Sequence, residues 1–243
     1  TCSRVFANPF LANRAYGFHA GRWGGGSLVV GWGGGVQEMA LGMVHTGWKR
    51  QRCVTGSDWP ELKVDDWSDT RDSLHMWTQV IGKVRMELAQ PVNHWWHVPL
   101  YVSVRGLTTG LVPYGNRNFE IELDVVDQVL RVETDDPALR TFPLGPMPVA
   151  SFYQQLMGTL EDLGLVVEIL ARPVEVVEAI PFAEDTTHTA YDPAAAEAFW
   201  RQLTNAERVF TEFRGEFLGK VSPVHMFWGA LDLAVSRFSG RTA

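Results

Sequence analysis

The alternation of apolar and acidic residues between positions 119 and 125 limits the fold more than any other feature of the sequence. Four apolar residues are separated by three acidic residues, in the order Phe119, Glu120, Ile121, Glu122, Leu123, Asp124 and Val125. A period of two puts the apolar side chains on one face of a β-strand and the carboxylates on the other. A strand over about 128–134 follows, and residues 94–105 alternate in the same way before a turn rich in glycine and proline. The sequence therefore predicts an antiparallel meander with one covered face.

Three amphipathic segments predict the helices that cover this face. In each of them apolar residues recur at steps of three and four, which places them on one side of a helix. The predicted helices span about residues 69–89, 149–163 and 193–218. Two further segments, 165–170 and 224–236, are predicted as strands. The fold class is therefore α+β, an antiparallel sheet with helices packed on one face.

Two helix–strand segments of the chain have similar sequences. When the first is shifted so that His94 falls on His225, Trp96 falls on Phe227 and Leu100 on Leu231. This correspondence suggests an internal duplication of a helix–strand unit, and the alternative is a coincidence of two short segments.

Residues 1–57 differ in character from the rest of the chain. They contain 12 of the 23 glycines and six basic residues against one acidic residue, with no sustained strand or helix period. Neither glycine run is followed by the Gly-Lys-Ser/Thr of a phosphate-binding loop. We expect residues 1–57 to be a glycine-rich leader, disordered or foreign to the native domain, and residues 58–243 to form a single α+β domain.

The cysteine content and the charge argue against several classes of function. Both cysteines, Cys2 and Cys53, precede the predicted domain, so that domain has no disulfide, thiolate metal site or cysteine nucleophile. The net charge of −7 argues against nucleic-acid binding, which depends on basic surfaces. The sequence has no apolar run long enough for a membrane-spanning helix and no secretory signal. We expect a cytoplasmic protein without nucleic-acid or membrane partners, and the sequence indicates neither a cofactor nor an oligomeric state.

Several rare sequence words resemble those of an uncharacterised bacterial family, a domain of unknown function. The words are LHMWTQ at 74–79, NHWWHV at 93–98, RGLTT at 105–109, SPVH at 222–225, FWG at 227–229 and RFSGR at 237–241. The resemblance covers about residues 58–241 and implies a bacterial, cytoplasmic, single-domain protein, with no activity to transfer. Members of that family continue beyond Gly240 and Arg241, so we expect the domain to be incomplete at its C-terminal end.

The polar face of the predicted sheet is the first candidate site. It is expected to carry Trp95, His97, Tyr101, Arg105, Glu122, Trp228 and Asp232. Such a face can bind a polar small molecule, because aromatic rings stack on a ligand while charged groups orient it. We expect the aromatic residues to stack and His97, Arg105 and Glu122 to orient the ligand. The alternative is a structural or protein-interaction surface, which would be flat and apolar.

A histidine-rich metal site is a second candidate. His75, His94 and His225 could meet across the fold, with Asp232 or Glu122 as the base of a metal-dependent enzyme. The sequence contains neither a His-Glu-x-x-His nor a Gly-x-Ser-x-Gly motif. The structural alternative is that His94 and His225 bond to the backbone at the start of their strands.

Overall fold

The computed structural model describes residues 59–240 in full and, before them, the two strands Phe18–Trp23 (β1) and Ser27–Trp32 (β2). Three long helices and two antiparallel sheets make up this part of the chain. The α+β class predicted from the sequence is therefore confirmed. None of the helices among the described residues has the length and apolar character needed to cross a membrane.

The larger sheet contains the predicted meander. Its strands run in the order β3-β4-β6-β7-β8, with β5 paired to β6. They are β3 (Tyr101–Val102), β4 (Gly106–Thr108), β5 (Val112–Tyr114), β6 (Arg117–Asp124), β7 (Val129–Thr134) and β8 (Ala138–Pro143). Phe119, Ile121 and Leu123 are at most 1% exposed, which confirms the alternation predicted for β6. The sequence did not predict β8, because most of its residues are exposed and show no alternation.

The helices are α1 (Val64–Leu88), α2 (Val149–Asp162) and α3 (Pro193–Gly215), and α1 lies at the centre of the domain. Every residue of α1 from 73 to 84 except His75 is buried. The ring of Trp77 stacks on Phe152 at 4.7 Å and on Tyr191 at 5.2 Å between centroids. The helix begins five residues earlier than predicted, and the acidic residues of its first turn favour this start because they complement the helix dipole.

Residues 94–105 do not form the predicted strand. Residues Asn93–Trp95 form a single 3-10 turn in which His94 and Trp95 both have a φ of 60°. The turn is closed by a side chain, because the backbone N–H of Val92 donates to Nδ1 of His97 at 3.1 Å. Local bonds of this kind compete with a strand ladder. In this segment Tyr101 and Val102 pair as a strand, and Leu100 forms an isolated antiparallel bridge with Met226.

The final segment, 224–236, is a hairpin and not a single strand. Its strands are β9 (His225–Phe227) and β10 (Asp232–Ser236), and the chain reverses between them at residues 228–231. The smaller sheet has the order β1-β2-β10-β9. The two segments aligned by His94 and His225 therefore have different structures, a turn and a hairpin.

Two other segments depart from the sequence expectations. Residues 165–170 alternate in burial, with Leu165 and Val167 buried and Val166 and Leu170 exposed, but they pair with no strand. Within the glycine-rich residues 1–57, where little structure is expected, β2 pairs with β10. The remainder of that leader, with Cys2 and Cys53, lies outside the described residues.

Candidate functional site

The seven residues predicted to form a binding face belong to three different parts of the fold. Tyr101, Arg105 and Glu122 belong to the larger sheet and its first turn, whereas Trp95 and His97 lie in the turn after α1. Trp228 and Asp232 belong to the hairpin of the smaller sheet. The prediction assumed that residues 94–105 and 224–236 were strands of one sheet. Because the first is largely a turn and the second is a hairpin of another sheet, the seven residues do not lie on one sheet face.

The polar groups on the larger sheet bond mainly to each other. Glu122 accepts a hydrogen bond from Ser103 Oγ at 2.6 Å. Arg105 donates to Asp124 at 2.5 Å and forms a second ion pair with Asp127. These interactions leave the face polar but internally satisfied. The ring of Trp95, although 53% exposed, stacks on His97 with 5.6 Å between centroids.

The three histidines considered as metal ligands bond to different parts of the fold. Nδ1 of His225 lies 2.7 Å from the carbonyl oxygen of Pro223, and burial lowers the pKa of this histidine. Nε2 of His94 lies 2.9 Å from Nζ of Lys220, and Nε2 of His75 lies 2.8 Å from the carbonyl oxygen of Gly229. Within the described residues no group of three or more His, Cys, Asp or Glu side chains could hold a metal ion.

One polar group of residues does converge, between α1 and the turn of the β9–β10 hairpin. It consists of His75 and Gln79 on α1, Glu175 in the loop before α3, and Asp232 at the start of β10, and we call it the hairpin cluster. Gln79 holds the loop, because its Oε1 accepts from the backbone N–H of Val174 at 2.8 Å and its Nε2 donates to the carbonyl of Val174 at 2.9 Å. The helix therefore fixes the segment that carries Glu175.

His75 is held in one tautomer. Its Nε2 is 2.8 Å from the carbonyl oxygen of Gly229, an acceptor, so this nitrogen carries the proton. Gln79 Nε2, at 3.1 Å from the same atom, is then a neighbour and not a donor to it. Burial lowers the pKa of His75, which keeps the ring neutral near pH 7. The backbone of Trp228 also hydrogen-bonds to this ring, so two consecutive residues of the hairpin turn hold His75.

The two carboxylates of the hairpin cluster have no cationic partner. Neither Asp232 nor Glu175 forms an ion pair with any described residue. Burial and the negative charge of Glu175 together raise the pKa of Asp232 to about 6. The carboxylate of Glu175 lies directly against the hairpin turn, where a β-carbon added to Gly229 would be 2.8 Å from its Oε1. Glu175 itself has a φ of 58°, a conformation that side-chain-bearing residues seldom adopt.

A buried lysine lies one helical turn beyond Gln79. Lys83 is 1% exposed and forms no ion pair with the described residues, and burial lowers its pKa. Its Nζ is 5.5 Å from the centroid of the Trp228 ring, and Trp228 is fixed by donating from Nε1 to the carbonyl of Val98 at 2.9 Å. The polar side of α1 therefore extends from His75 through Gln79 to Lys83.

Sequence reasoning included His75, Trp228 and Asp232 but missed the residues that connect them. His75, Gln79 and Lys83 are spaced by four, so a polar stripe beside the apolar stripe of α1 is visible in the sequence. Glu175 gave no comparable signal, because it belongs to a loop without periodicity.

The chain belongs to DUF5996, a family of unknown function, whose model matches residues 59–243. This agrees with the resemblance to an uncharacterised family seen in the sequence words. No curated protein and no solved structure matches the chain.

Proposed function

We propose that this domain binds a small polar molecule through a cationic group, at the hairpin cluster. The observation that carries the proposal is the pair of carboxylates, Asp232 and Glu175, which lack a cationic partner within the described residues. Burial and the repulsion by Glu175 raise the pKa of Asp232, so an ionised Asp232 beside Glu175 is unfavourable to the folded protein. An amine or guanidinium placed between them would remove this repulsion and gain charge-assisted hydrogen bonds.

His75 fixes the hairpin turn beside the two carboxylates. Its Nε2 bonds to the carbonyl of Gly229, and the backbone of Trp228 bonds to the same ring, so the turn is held against α1. Burial keeps the ring neutral near pH 7, so it adds no positive charge that would oppose a cation.

We also propose that this is a cytoplasmic protein of a bacterium. The lack of cysteine after Cys53 supports a reducing compartment. The net charge of −7 supports a small-molecule ligand over a nucleic acid.

Isothermal titration with putrescine tests the proposal, with 1,4-butanediol as its uncharged counterpart. We expect putrescine to bind the wild-type protein and butanediol not to bind. We expect Asp232→Asn to weaken putrescine binding by about tenfold or more, the size of one lost charge-assisted bond. Glu178→Gln is the matched control, since Glu178 is an exposed carboxylate near the same loop that takes no part in the hairpin cluster.

Proton release gives an independent readout of the same contact. A cation next to Asp232 lowers its pKa, so binding near pH 6 must release protons from the carboxyl group. The apparent binding enthalpy should therefore vary with the ionisation enthalpy of the buffer at pH 6 and much less at pH 8. Equal affinity for putrescine in wild type and Asp232→Asn would refute this site.

A further inference from the structure

Three aromatic side chains converge at the opposite end of the β9–β10 hairpin. The ring of His94 lies 4.8 Å from Trp96 and 4.9 Å from Phe238 between centroids, and Trp96 meets Phe238 edge-on at 5.9 Å. We call these three residues the aromatic cage. All three residues are only partly buried. The aromatic cage and Asp232 are separated by six residues of nearly extended chain, roughly 20 Å.

The chain's own Lys220 lies against the aromatic cage, and its carbonyl accepts a hydrogen bond from the N–H of Phe238 at 2.9 Å. Its Nζ is 4.9 Å from the ring centroid of Phe238, 5.6 Å from that of Trp96 and 2.9 Å from Nε2 of His94. Both ring distances are within the range of a cation–π interaction. Lys220 is nevertheless an exposed residue, and a long exposed side chain loses rotamer freedom when it is held in one place.

The backbone that presents the aromatic cage is in an unfavourable conformation. His94 and Trp95 are consecutive, neither is glycine, and both have a φ of 60°. Left-handed conformations of such residues tend to occur at functional sites, where the surrounding structure holds them in place. Here the strained turn brings His94 and Trp96 to the same side, facing Phe238 from the other end of the chain.

We propose that the aromatic cage is a binding site for a small molecule with a quaternary ammonium group, and that Lys220 is the occupant which this ligand displaces. Primary ammonium is strongly hydrated, so Lys220 gains little from the rings while it remains exposed. A trimethylammonium group carries the same charge with weaker hydration, and aromatic cages recognise it for this reason. The site is independent of the hairpin cluster, which takes a hydrogen-bonding cation between carboxylates.

The test is a titration of the full chain with tetramethylammonium chloride, followed by the indole N–H signals in two-dimensional NMR. Ammonium chloride at equal ionic strength is the control ligand. We expect tetramethylammonium to shift the signal of Trp96, and ammonium to bind more weakly. In Lys220→Ala the competing cation is absent, so the affinity for tetramethylammonium should rise about two- to fivefold, the factor that an exposed cation–π contact represents.

Two further variants make the proposal falsifiable. Phe238→Leu and Trp96→Leu each remove one ring and should abolish the binding, with unfolding midpoints measured to confirm that either variant is folded. Lys63→Ala removes an exposed lysine elsewhere and should leave the binding of tetramethylammonium unchanged. Absence of binding in both wild type and Lys220→Ala, equal binding of ammonium, or undiminished binding in a folded ring variant would overturn the proposal.

Discussion

The backbone of Gly82 lies directly against the indole ring of Trp228, so that a β-carbon at position 82 would be 2.1 Å from both Cδ1 and Nε1 of that ring. The same Nε1 donates to the carbonyl of Val98 at 2.9 Å. Trp228 thus joins α1, the hairpin turn and the segment before β3, and this contact requires that α1 carry no side chain at position 82.

Gly82→Ala is expected to destabilise the protein. Alanine favours a helix over glycine by about 1 kcal/mol. Against this, the buried and hydrogen-bonded indole must move, and overpacking of a core costs about 1–3 kcal/mol, occasionally more. The clash should prevail, which lowers the free energy of unfolding by up to about 2 kcal/mol. Urea unfolding measures this change.

The control for this prediction is Gly158→Ala in α2. A β-carbon at Gly158 would meet no heavy atom within 4 Å, so only the gain in helix propensity remains. Gly158→Ala should therefore raise the free energy of unfolding by up to about 1 kcal/mol. If the two variants are equally stable, the contact between Gly82 and Trp228 does not constrain the fold as inferred.

Asp232→Asn should stabilise the protein at neutral pH and not in acid. The pKa of Asp232 is raised from 3.8 to about 6 in the folded state, so the folded protein holds this proton more strongly than the unfolded chain does. Binding of this proton stabilises the folded protein fully below pH 3.8, and the stabilisation is lost as the pH rises through 6. At pH 8 the variant should gain on the order of 2 kcal/mol over wild type, and near pH 4 the gain should disappear. Chemical unfolding at several pH values tests this dependence.

Glu175→Gln should lower the pKa of Asp232 without restoring its ordinary value. Burial is the largest cause of the raised pKa and remains in this variant, whereas the repulsion by Glu175 is removed. Titration of the Asp232 carboxyl carbon by NMR measures the shift directly. An unchanged pKa would mean that the two carboxylates do not interact, and would also weaken the proposed cation site.

The parts of the fold that the sequence predicts correctly are those where one period persists along a whole element. In β6 the alternation from Phe119 to Leu123 matches the burial. The end of α1 and the start of α3 were predicted from Pro91 and from Asp192, whose side chain accepts from the N–H of Ala194. Propensity and packing agree in these elements.

The prediction is wrong where a side chain bonds to the backbone within a few residues. The alternation in residues 94–105 favours a strand, but the bond from Val92 to His97 and the left-handed residues that follow α1 form a turn. For the same reason Trp95 and His97 do not join Tyr101 on one face. The hairpin cluster depends on Glu175, whose loop is positioned through Gln79, and no sequence period records such a contact between distant residues.

Lys83→Met is expected to stabilise the protein, because Lys83 is 1% exposed without a partner carboxylate among the described residues. Partial desolvation of an unpaired ammonium is unfavourable, and the cation–π contact with Trp228 offsets part of this cost. Methionine fills a similar volume without the charge, so a gain on the order of 1–2 kcal/mol is expected at pH 7.

The lowered pKa of Lys83 makes the effect of Lys83→Met depend on pH. The folded state loses the proton before the unfolded chain does, so wild type gains stability as the pH rises towards 10.5 and the advantage of the variant shrinks. Lys63→Met, at an exposed position paired with Glu61, should change stability by less than about 0.5 kcal/mol at either pH. A loss of stability in Lys83→Met at pH 7 would show instead that the ammonium is satisfied in the folded protein.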